Sequence, residues 1–136
     1  DCTMSLTDEE RNSLVQLLLD KADLFLREAQ QMGELTLWDL AANRFYYACF
    51  HATQALLVCY GLSAHTHAGT IATFGLNFVK SGKVDIKYGA FISRMEQLRK
   101  KADYNCDYDV SCEDVESMVE PTKSFIMKIK ELIDER

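Results

Sequence analysis

One strongly apolar segment constrains the fold of this chain more than any other feature. Residues 42–57 read ANRFYYACFHATQALL, and Arg44 and His51 are the only strongly ionisable side chains between Leu40 and Leu62. Because this segment has no polar face, it predicts a helix that is buried at the centre of a bundle or covered by a partner chain. The guanidinium of Arg44 stays charged there, so it needs a carboxylate, backbone carbonyls or a ligand phosphate as its partner.

Helical periodicity and capping signals predict the course of the whole chain. Thr7 and Glu10 match a capping box, and Ser111 followed by Asp114 is a variant of one. Thr36 is the predicted N-cap of the apolar helix. With N-caps included, the predicted helices run from Thr7 to Gly33, from Thr36 to Tyr60, from Gly69 to Val79, from Val84 to Tyr104, and from Ser111 to at least Leu132. No segment alternates with period two, so the sequence predicts an all-α fold, an up-and-down four-helix bundle with one additional short helix.

The single proline of the chain, Pro121, lies inside the last predicted helix. Proline has no backbone N–H, and its ring clashes with the carbonyl of the preceding turn. A kink or a brief break is therefore expected near Glu120.

Length and composition predict a single domain over residues 1–136. The chain is 48% hydrophobic, with one proline and six glycines, and it contains no linker-like or repeated segment. Asp1–Thr3 precede Met4 and are expected to be a remnant of processing or cloning. No apolar run is long enough to span a bilayer and no signal-peptide pattern is present, so no membrane association is expected.

The cysteines, the histidines and the net charge narrow the class of protein further. Five cysteines, an odd number without C-x-x-C spacing, argue against a disulfide framework and favour a reducing cytoplasm. His65 and His67 have no carboxylate or cysteine close in sequence, so neither a metal site nor a cofactor is predicted. The net charge of −6 argues against a broad basic surface for nucleic acid, although a local basic pocket would not show in this total.

Arg44, Tyr47 and His51 are expected to share one face of the apolar helix. Seven helical residues turn about 700° and rise about 10.5 Å, and Ala48 and Ala55 beside this face leave room for a ligand. In a structural interpretation, Arg44 pairs with a carboxylate of another helix and His51 is a hydrogen-bonded core residue. In a catalytic interpretation, the arginine stabilises a scissile phosphate while the histidine takes a proton from an RNA 2′-OH or gives one to the leaving oxygen.

The sequence resembles the HEPN domain family, specifically small bacterial and archaeal stand-alone proteins often encoded beside a minimal nucleotidyltransferase. The resemblance covers the ANRFYYACFHATQALL segment, Gly61, His67-x-Gly69, the RKKADY segment at 99–104, and the final helix. It implies a bundle that commonly dimerises, with the arginine- and histidine-bearing helices near the two-fold axis. It also implies a metal-independent endoribonuclease, the toxin of a toxin–antitoxin pair. Arg44 and His51 would form its catalytic motif, and the products would carry a 2′,3′-cyclic phosphate.

Two positions depart from the family pattern and leave an alternative open. Phe45 follows the arginine where the clearest nucleases carry a polar residue. Thr53 lies two residues after His51, where some toxins carry a tyrosine that the partner nucleotidyltransferase modifies with AMP. The alternative is a non-catalytic module that binds a nucleotide or docks a nucleotidyltransferase, with Arg44 held in a structural ion pair.

Other residues are expected to bind substrate or to support the catalytic pair. Arg99 and Asp103, at i,i+4, can form a surface ion pair with each other. Alternatively, Asp103 crosses to Arg44 or His51 while Arg99 or Tyr104 lines the same cleft. His67 is expected at a helix entry or at the cleft edge. The predicted substrate-binding or supporting residues are therefore Asn43, Tyr47, His67, Arg99, Asp103 and Tyr104.

Two further groups of residues, one aromatic and one basic, are predicted to have structural roles only. Tyr46 and Phe50, at i,i+4, are predicted to belong to the core. Lys80, Lys83 and Lys87 form a small basic patch around the turn at 81–83 and are predicted to be solvated.

Overall fold

The computed structural model describes residues 6–136, and these residues form an all-α bundle without a β-strand. The expectation for Asp1–Thr3 lies outside the described residues. The helices are α1 (Asp8–Glu34), α2 (Trp38–Cys59), α3 (His67–Phe74), α4 (Ile86–Tyr104) and α5 (Cys112–Asp134), with a π-helical turn at Gly75–Val79 directly after α3. The predicted fold class is confirmed.

The central position predicted for the apolar helix is confirmed. α2 packs against α1, α3, α4 and α5, and its most extensive interface is with α1. Phe45, Tyr46, Cys49 and Leu56 have no solvent exposure, so nearly every side of α2 faces another helix. Burial of such side chains contributes about 1.5–3 kcal/mol for each large apolar group, so α2 contributes strongly to stability.

Two of the three predicted N-caps are confirmed, and the third is wrong. Thr7 accepts from the Glu10 N–H and Ser111 from the Asp114 N–H, and both motifs are complete capping boxes. Thr36 does not cap α2, because the chain reverses there through a left-handed residue with φ of 60°. Leu37 is the actual N-cap and makes no side-chain capping bond.

The short helix begins earlier than predicted and ends in a different geometry. The Thr66 side chain caps α3 by accepting from the Gly69 N–H, so the helix starts at His67 instead of Gly69. From Gly75 the chain continues as a π-helical turn, and Lys80 N–H bonds to the Gly75 carbonyl at 2.8 Å. The position of His67 at a helix entry is thereby confirmed.

The break predicted at Pro121 is not observed. α5 continues from Cys112 to Asp134 with the proline inside it. Pro121 is exposed, whereas Met118, Thr122 and Phe125 are buried against the bundle. Packing of this buried face holds the helix together even though one backbone hydrogen bond is missing.

None of the helices described at residues 6–136 is long and apolar enough to cross a membrane.

Candidate functional site

Arg44 projects from α2 towards α1, where it meets a carboxylate and an aromatic ring. Its Nε donates to Glu28 Oε1 at 2.9 Å, and its Nη1 donates to Asn43 Oδ1 at 3.0 Å. The guanidinium carbon lies 4.9 Å from the centroid of the Phe25 ring. About a third of the Arg44 and Glu28 side chains is exposed, so this ion pair lies at the surface of the α1/α2 interface.

His51 lies two helical turns further along α2, against the same phenylalanine. Its ring meets Phe25 edge-on with 5.0 Å between the ring centroids, and His51 Nδ1 lies 3.0 Å from Gln54 Oε1. An amide oxygen only accepts, so Nδ1 carries the proton and the neutral ring presents a free lone pair on Nε2. Burial lowers the pKa of His51, and the charges of Lys21 and His67 lower it further, against an opposing effect of Gln54.

A second cluster surrounds the buried carboxylate of Glu96 on α4. Glu96 receives Arg99 Nη2 at 3.0 Å and lies 3.5 Å from Nδ1 of His67. His67 Nδ1 also forms a 2.8 Å hydrogen bond with the Tyr46 hydroxyl. Burial alone would raise the pKa of Glu96, but the hydrogen bonds from Arg99 and Tyr46 outweigh it and lower that pKa. This cluster fastens α3 and α4 to α2.

Tyr47 connects the two clusters. Its ring centroid lies 6.0 Å from that of His51 and 5.5 Å from that of His67. The guanidinium of Arg99 lies 6.0 Å from the same ring. The predicted residues that the structure brings into this continuous surface are Asn43, Arg44, Tyr47, His51, His67 and Arg99.

The expectation that Asp103 crosses to Arg44 or His51 is wrong. Asp103 forms an i,i+4 ion pair with Arg99 at 2.8 Å, while Arg44 pairs with Glu28. Tyr104 follows at the end of α4 with 81% of its surface exposed. Because Glu96 is buried one heptad before Asp103, it takes the inner contacts of Arg99 and leaves Asp103 at the rim.

Sequence reasoning missed the residues that hold the predicted ones in place. Phe25, Glu28, Gln54 and Glu96 make these contacts, and Tyr46 adds a hydroxyl to a position predicted only as core. Gln54, at i+3 from His51, could have been found from helical spacing. Phe25, Glu28 and Glu96 come from α1 and α4, and no local pattern indicates which carboxylate faces α2.

Among residues 6–136, no cluster of three or more histidine, cysteine, aspartate or glutamate side chains is arranged to hold a metal ion.

The comparisons with known proteins define the class. The model of the HEPN domain matches residues 15–132, so the chain belongs to the HEPN domain family. It is 35% identical over 131 residues to "Putative toxin MJ0605" of Methanocaldococcus jannaschii, with 96% of this chain and 97% of the relative covered. It is 36% identical over 117 residues to a "UPF0332 protein" of Thermotoga maritima, with 86% and 83% covered. A second M. jannaschii protein, "Putative toxin MJ0142", is 24% identical over 119 residues, with 88% and 81% covered.

Proposed function

We propose that this protein is a metal-independent endoribonuclease and the toxin component of a toxin–antitoxin pair. The observation that carries the proposal is the state of His51, whose Nδ1 is fixed by Gln54 while burial lowers its pKa. A neutral imidazole with a free Nε2 at a partly exposed position is suited to act as a general base at neutral pH. Two relatives that carry "toxin" in their names support the biological role.

In the proposed reaction, Nε2 of His51 takes the proton of an RNA 2′-OH. The resulting oxygen attacks the adjacent phosphorus, and the bond from phosphorus to the 5′-oxygen breaks. The 5′-oxygen receives a proton from water and leaves as a hydroxyl, the His51 imidazolium returns its proton to the solvent, and the other product ends in a 2′,3′-cyclic phosphate. No metal, redox partner or cofactor takes part, because every proton and electron pair is exchanged among the RNA, imidazole and water.

Arg44 is proposed to bind the phosphate and to stabilise its additional transition-state charge. Of the five N–H groups of a guanidinium, the contacts to Glu28 and Asn43 use one on Nε and one on Nη1. The remaining three can donate to phosphate oxygens. Asn43, Tyr47, His67 and Arg99 are proposed to orient the substrate along the surface described above.

The site is proposed to be completed by a second copy of this chain. On α1, Leu17 and Leu24 share the face of Lys21 and Glu28, and they are 63% and 43% exposed. Leu40, on the face of α2 that carries Arg44, is 49% exposed. A second copy seated on this face would cover these leucines and bring two Arg44–His51 pairs together, so that the arginines of both copies could contact one phosphate.

The antitoxin is proposed to be a minimal nucleotidyltransferase, as the family resemblance implies. Modification two residues after His51 is not part of this proposal. Thr53 has no solvent exposure, and its hydroxyl donates to the Cys49 carbonyl at 2.9 Å. A partner would therefore act on this chain in another way.

The ion pair between Arg44 and Glu28 favours a second candidate function. In a non-catalytic HEPN module, this pair would be purely structural, and the surface around Tyr47 would bind a nucleotide or dock a nucleotidyltransferase. Such a module would cleave no RNA under any condition, so a cleavage assay separates the two candidates.

The test is cleavage of a single-stranded RNA in the presence of EDTA. We expect the wild-type chain to produce fragments ending in a 2′,3′-cyclic phosphate, and His51→Ala and Arg44→Ala to reduce the rate by about a hundredfold or more. His65→Ala and Arg27→Ala are matched controls, because both residues are exposed and neither contacts the site. Cleavage that survives His51→Ala, or that the chelator abolishes, would contradict the mechanism. Absence of cleavage by the wild-type chain would favour the non-catalytic module.

A further inference from the structure

An open groove runs between α4 and α5 on the opposite side of α4 from Glu96. Both helices pack on α2, but within residues 6–136 they make little direct contact with each other. Three cavities of about 310, 480 and 380 Å³ follow one another along this gap. The first two share Arg94, and the last two share Lys87 and Tyr88, so the cavities form one continuous groove.

The floor and walls of the groove are largely apolar. The side chains that provide this surface are Tyr88, Phe91, Met95, Leu98, Met118 and Pro121. Phe91 and Tyr88 both pack against the buried ring of Phe125, with 6.2 Å between ring centroids in each case. The aromatic part of the floor is therefore held by the core, and at the other end the groove lies over two buried methionines, Met95 and Met118.

The rim of the groove carries cations whose charge is not neutralised locally. Lys83, Lys87 and Arg94 form no ion pair with a carboxylate in the part of the chain that the structure describes. Each lies instead near an aromatic ring, at 5.0 Å from Tyr60, 5.2 Å from Tyr88 and 5.4 Å from Phe91, respectively. Lys128 adds a fourth cation from α5, and this one is paired, because its Nζ lies 3.9 Å from Glu131 Oε1.

The carboxylates that line the groove already have hydrogen-bond or ion-pair partners within the chain. Asp85 accepts from the Lys87 backbone N–H, Asp114 from Ser111, and Glu120 lies 3.3 Å from Lys123. Between residues 61 and 95, Asp85 is the only acidic residue, against four lysines and arginines, in a chain whose net charge is −6. The α4 wall of the groove and the turn before it are thus a basic part of an acidic protein.

We propose that this groove binds an acidic amphipathic helix of a partner protein. The groove walls are antiparallel and extend from Lys87 to Leu98 and from Asp114 to Lys128, which corresponds to about 17 and about 21 Å, or three to four helical turns. Apolar side chains spaced at i, i+3, i+4 and i+7 would fill the floor, and flanking carboxylates would face the four cations. The apolar floor favours a protein segment over RNA, whose backbone would use only the rim. This inference does not depend on ribonuclease activity.

The test is selection of binders from a displayed library of random peptides about 14 residues long, with the full chain as the immobilised target. We expect the enriched peptides to be amphipathic and rich in Asp and Glu. In fluorescence anisotropy, a selected peptide should lose at least about tenfold in affinity for the Lys87→Glu/Arg94→Glu double variant. Arg27→Glu, an exposed charge reversal on α1, should change the affinity by less than about twofold.

A second groove variant covers the case in which the charge-reversal variant does not fold. Lys87→Gln/Arg94→Gln removes the positive charges without adding negative ones, and it replaces the reversal variant if thermal melts show that variant to be unfolded. Enriched peptides without an acidic bias, or with equal affinity for the groove variants, would overturn the proposal. It would also fail if a single-stranded RNA lost affinity for these variants while the selected peptides did not.

Discussion

At the scale of single residues, the state of His51 depends on its two ring nitrogens having different surroundings. Gln54 fixes the proton on Nδ1, and Phe25 covers one edge of the ring. Burial removes part of the hydration that an imidazolium needs, which lowers the pKa of His51 from its ordinary value of 6.5. The neutral form is therefore the resting state at neutral pH.

This pKa predicts the pH dependence of cleavage. Protonated His51 cannot accept the 2′-OH proton, so the rate should rise with pH through the folded-state pKa and level off above it. An NMR titration of the three histidine rings measures the same group directly, with the exposed His65 as reference. We expect the His51 midpoint to lie below 6.5. A midpoint at or above that value would contradict the assignment of His51 as a general base.

The Arg44–Glu28 ion pair can be removed by a substitution that should change stability only slightly. Both side chains are about one-third exposed, so Glu28→Gln should lower the free energy of unfolding by less than about 1 kcal/mol. It should leave RNA cleavage unchanged or increase it, because a carboxylate that competes with the phosphate for Arg44 is removed. Urea denaturation and initial cleavage rates measure the two effects, with Glu34→Gln on the same helix as control. Loss of cleavage would show that Glu28 positions Arg44 for catalysis.

At the scale of helices, Glu96 is the polar contact that fastens α4 to α2 and α3. Glu96→Ala would leave Arg99 without its inner carboxylate and Tyr46 without an acceptor, so we expect a loss of about 3 kcal/mol in the free energy of unfolding. Asp103→Ala is the matched control, because it removes the outer partner of the same arginine, and it should cost less than about 1 kcal/mol. If urea denaturation gave the same loss of free energy of unfolding for Glu96→Ala and Asp103→Ala, burial of Glu96 would not increase its contribution to stability.

The lowered pKa of Glu96 adds a pH test of this helix contact. Because the folded-state pKa lies below the ordinary value of 4.5, the contact stabilises the protein fully above that pH. Its contribution should disappear as the pH falls through the folded-state pKa. The stability difference between wild type and Glu96→Gln, measured by urea denaturation, should therefore shrink on acidification below pH 4.5. A difference that is constant across this range would contradict the ion pair.

α5 offers a stabilising substitution at its only irregular residue. Pro121→Ala restores a backbone N–H that can bond to the Ser117 carbonyl, and proline in a helix interior costs about 3 kcal/mol relative to alanine. Against this gain, alanine gives the unfolded chain more conformational freedom than proline does, which lowers the free energy of unfolding by about 1 kcal/mol. We therefore expect a higher melting temperature, measured by circular dichroism. A lower one would mean that the shape which Pro121 gives to the α4/α5 groove is needed for packing.

The helices could be predicted from the sequence more completely than their contacts. Capping boxes at Thr7 and Ser111 act within one turn, so their effect is visible in local sequence. The start of α2 could not be predicted, because the reversal at Thr36 is set by how α1 and α2 pack. The pair between Arg99 and Asp103 could be predicted from their spacing, but the inner partner Glu96 could not, for a related reason. Glu96 and Asp103 are seven residues apart on one face of α4, and only the bundle determines which of them is buried.

At the scale of the whole molecule, the exposed leucines on α1 and α2 predict the oligomeric state. Leu17→Glu/Leu24→Glu should convert a dimer into a monomer and reduce RNA cleavage with it, because a charge at a buried apolar contact is strongly unfavourable. Light scattering coupled to size-exclusion chromatography measures the mass. Met127→Glu, at a 65% exposed position on α5, is the control. A wild-type monomer with full activity would exclude a site completed by a second copy.

The extensive α1/α2 interface also has a consequence for the order of folding. Phe25, Glu28, Arg44, His51 and Gln54 all belong to this helical hairpin. Contacts between neighbouring helices close short loops, so they form early. We expect substitutions such as Ala22→Gly and Ala48→Gly to slow folding, and Ile129→Val in α5 to accelerate unfolding instead. During synthesis, each chain would then bring Arg44 and His51 against α1 before the helix that carries Glu96 and Arg99 has folded.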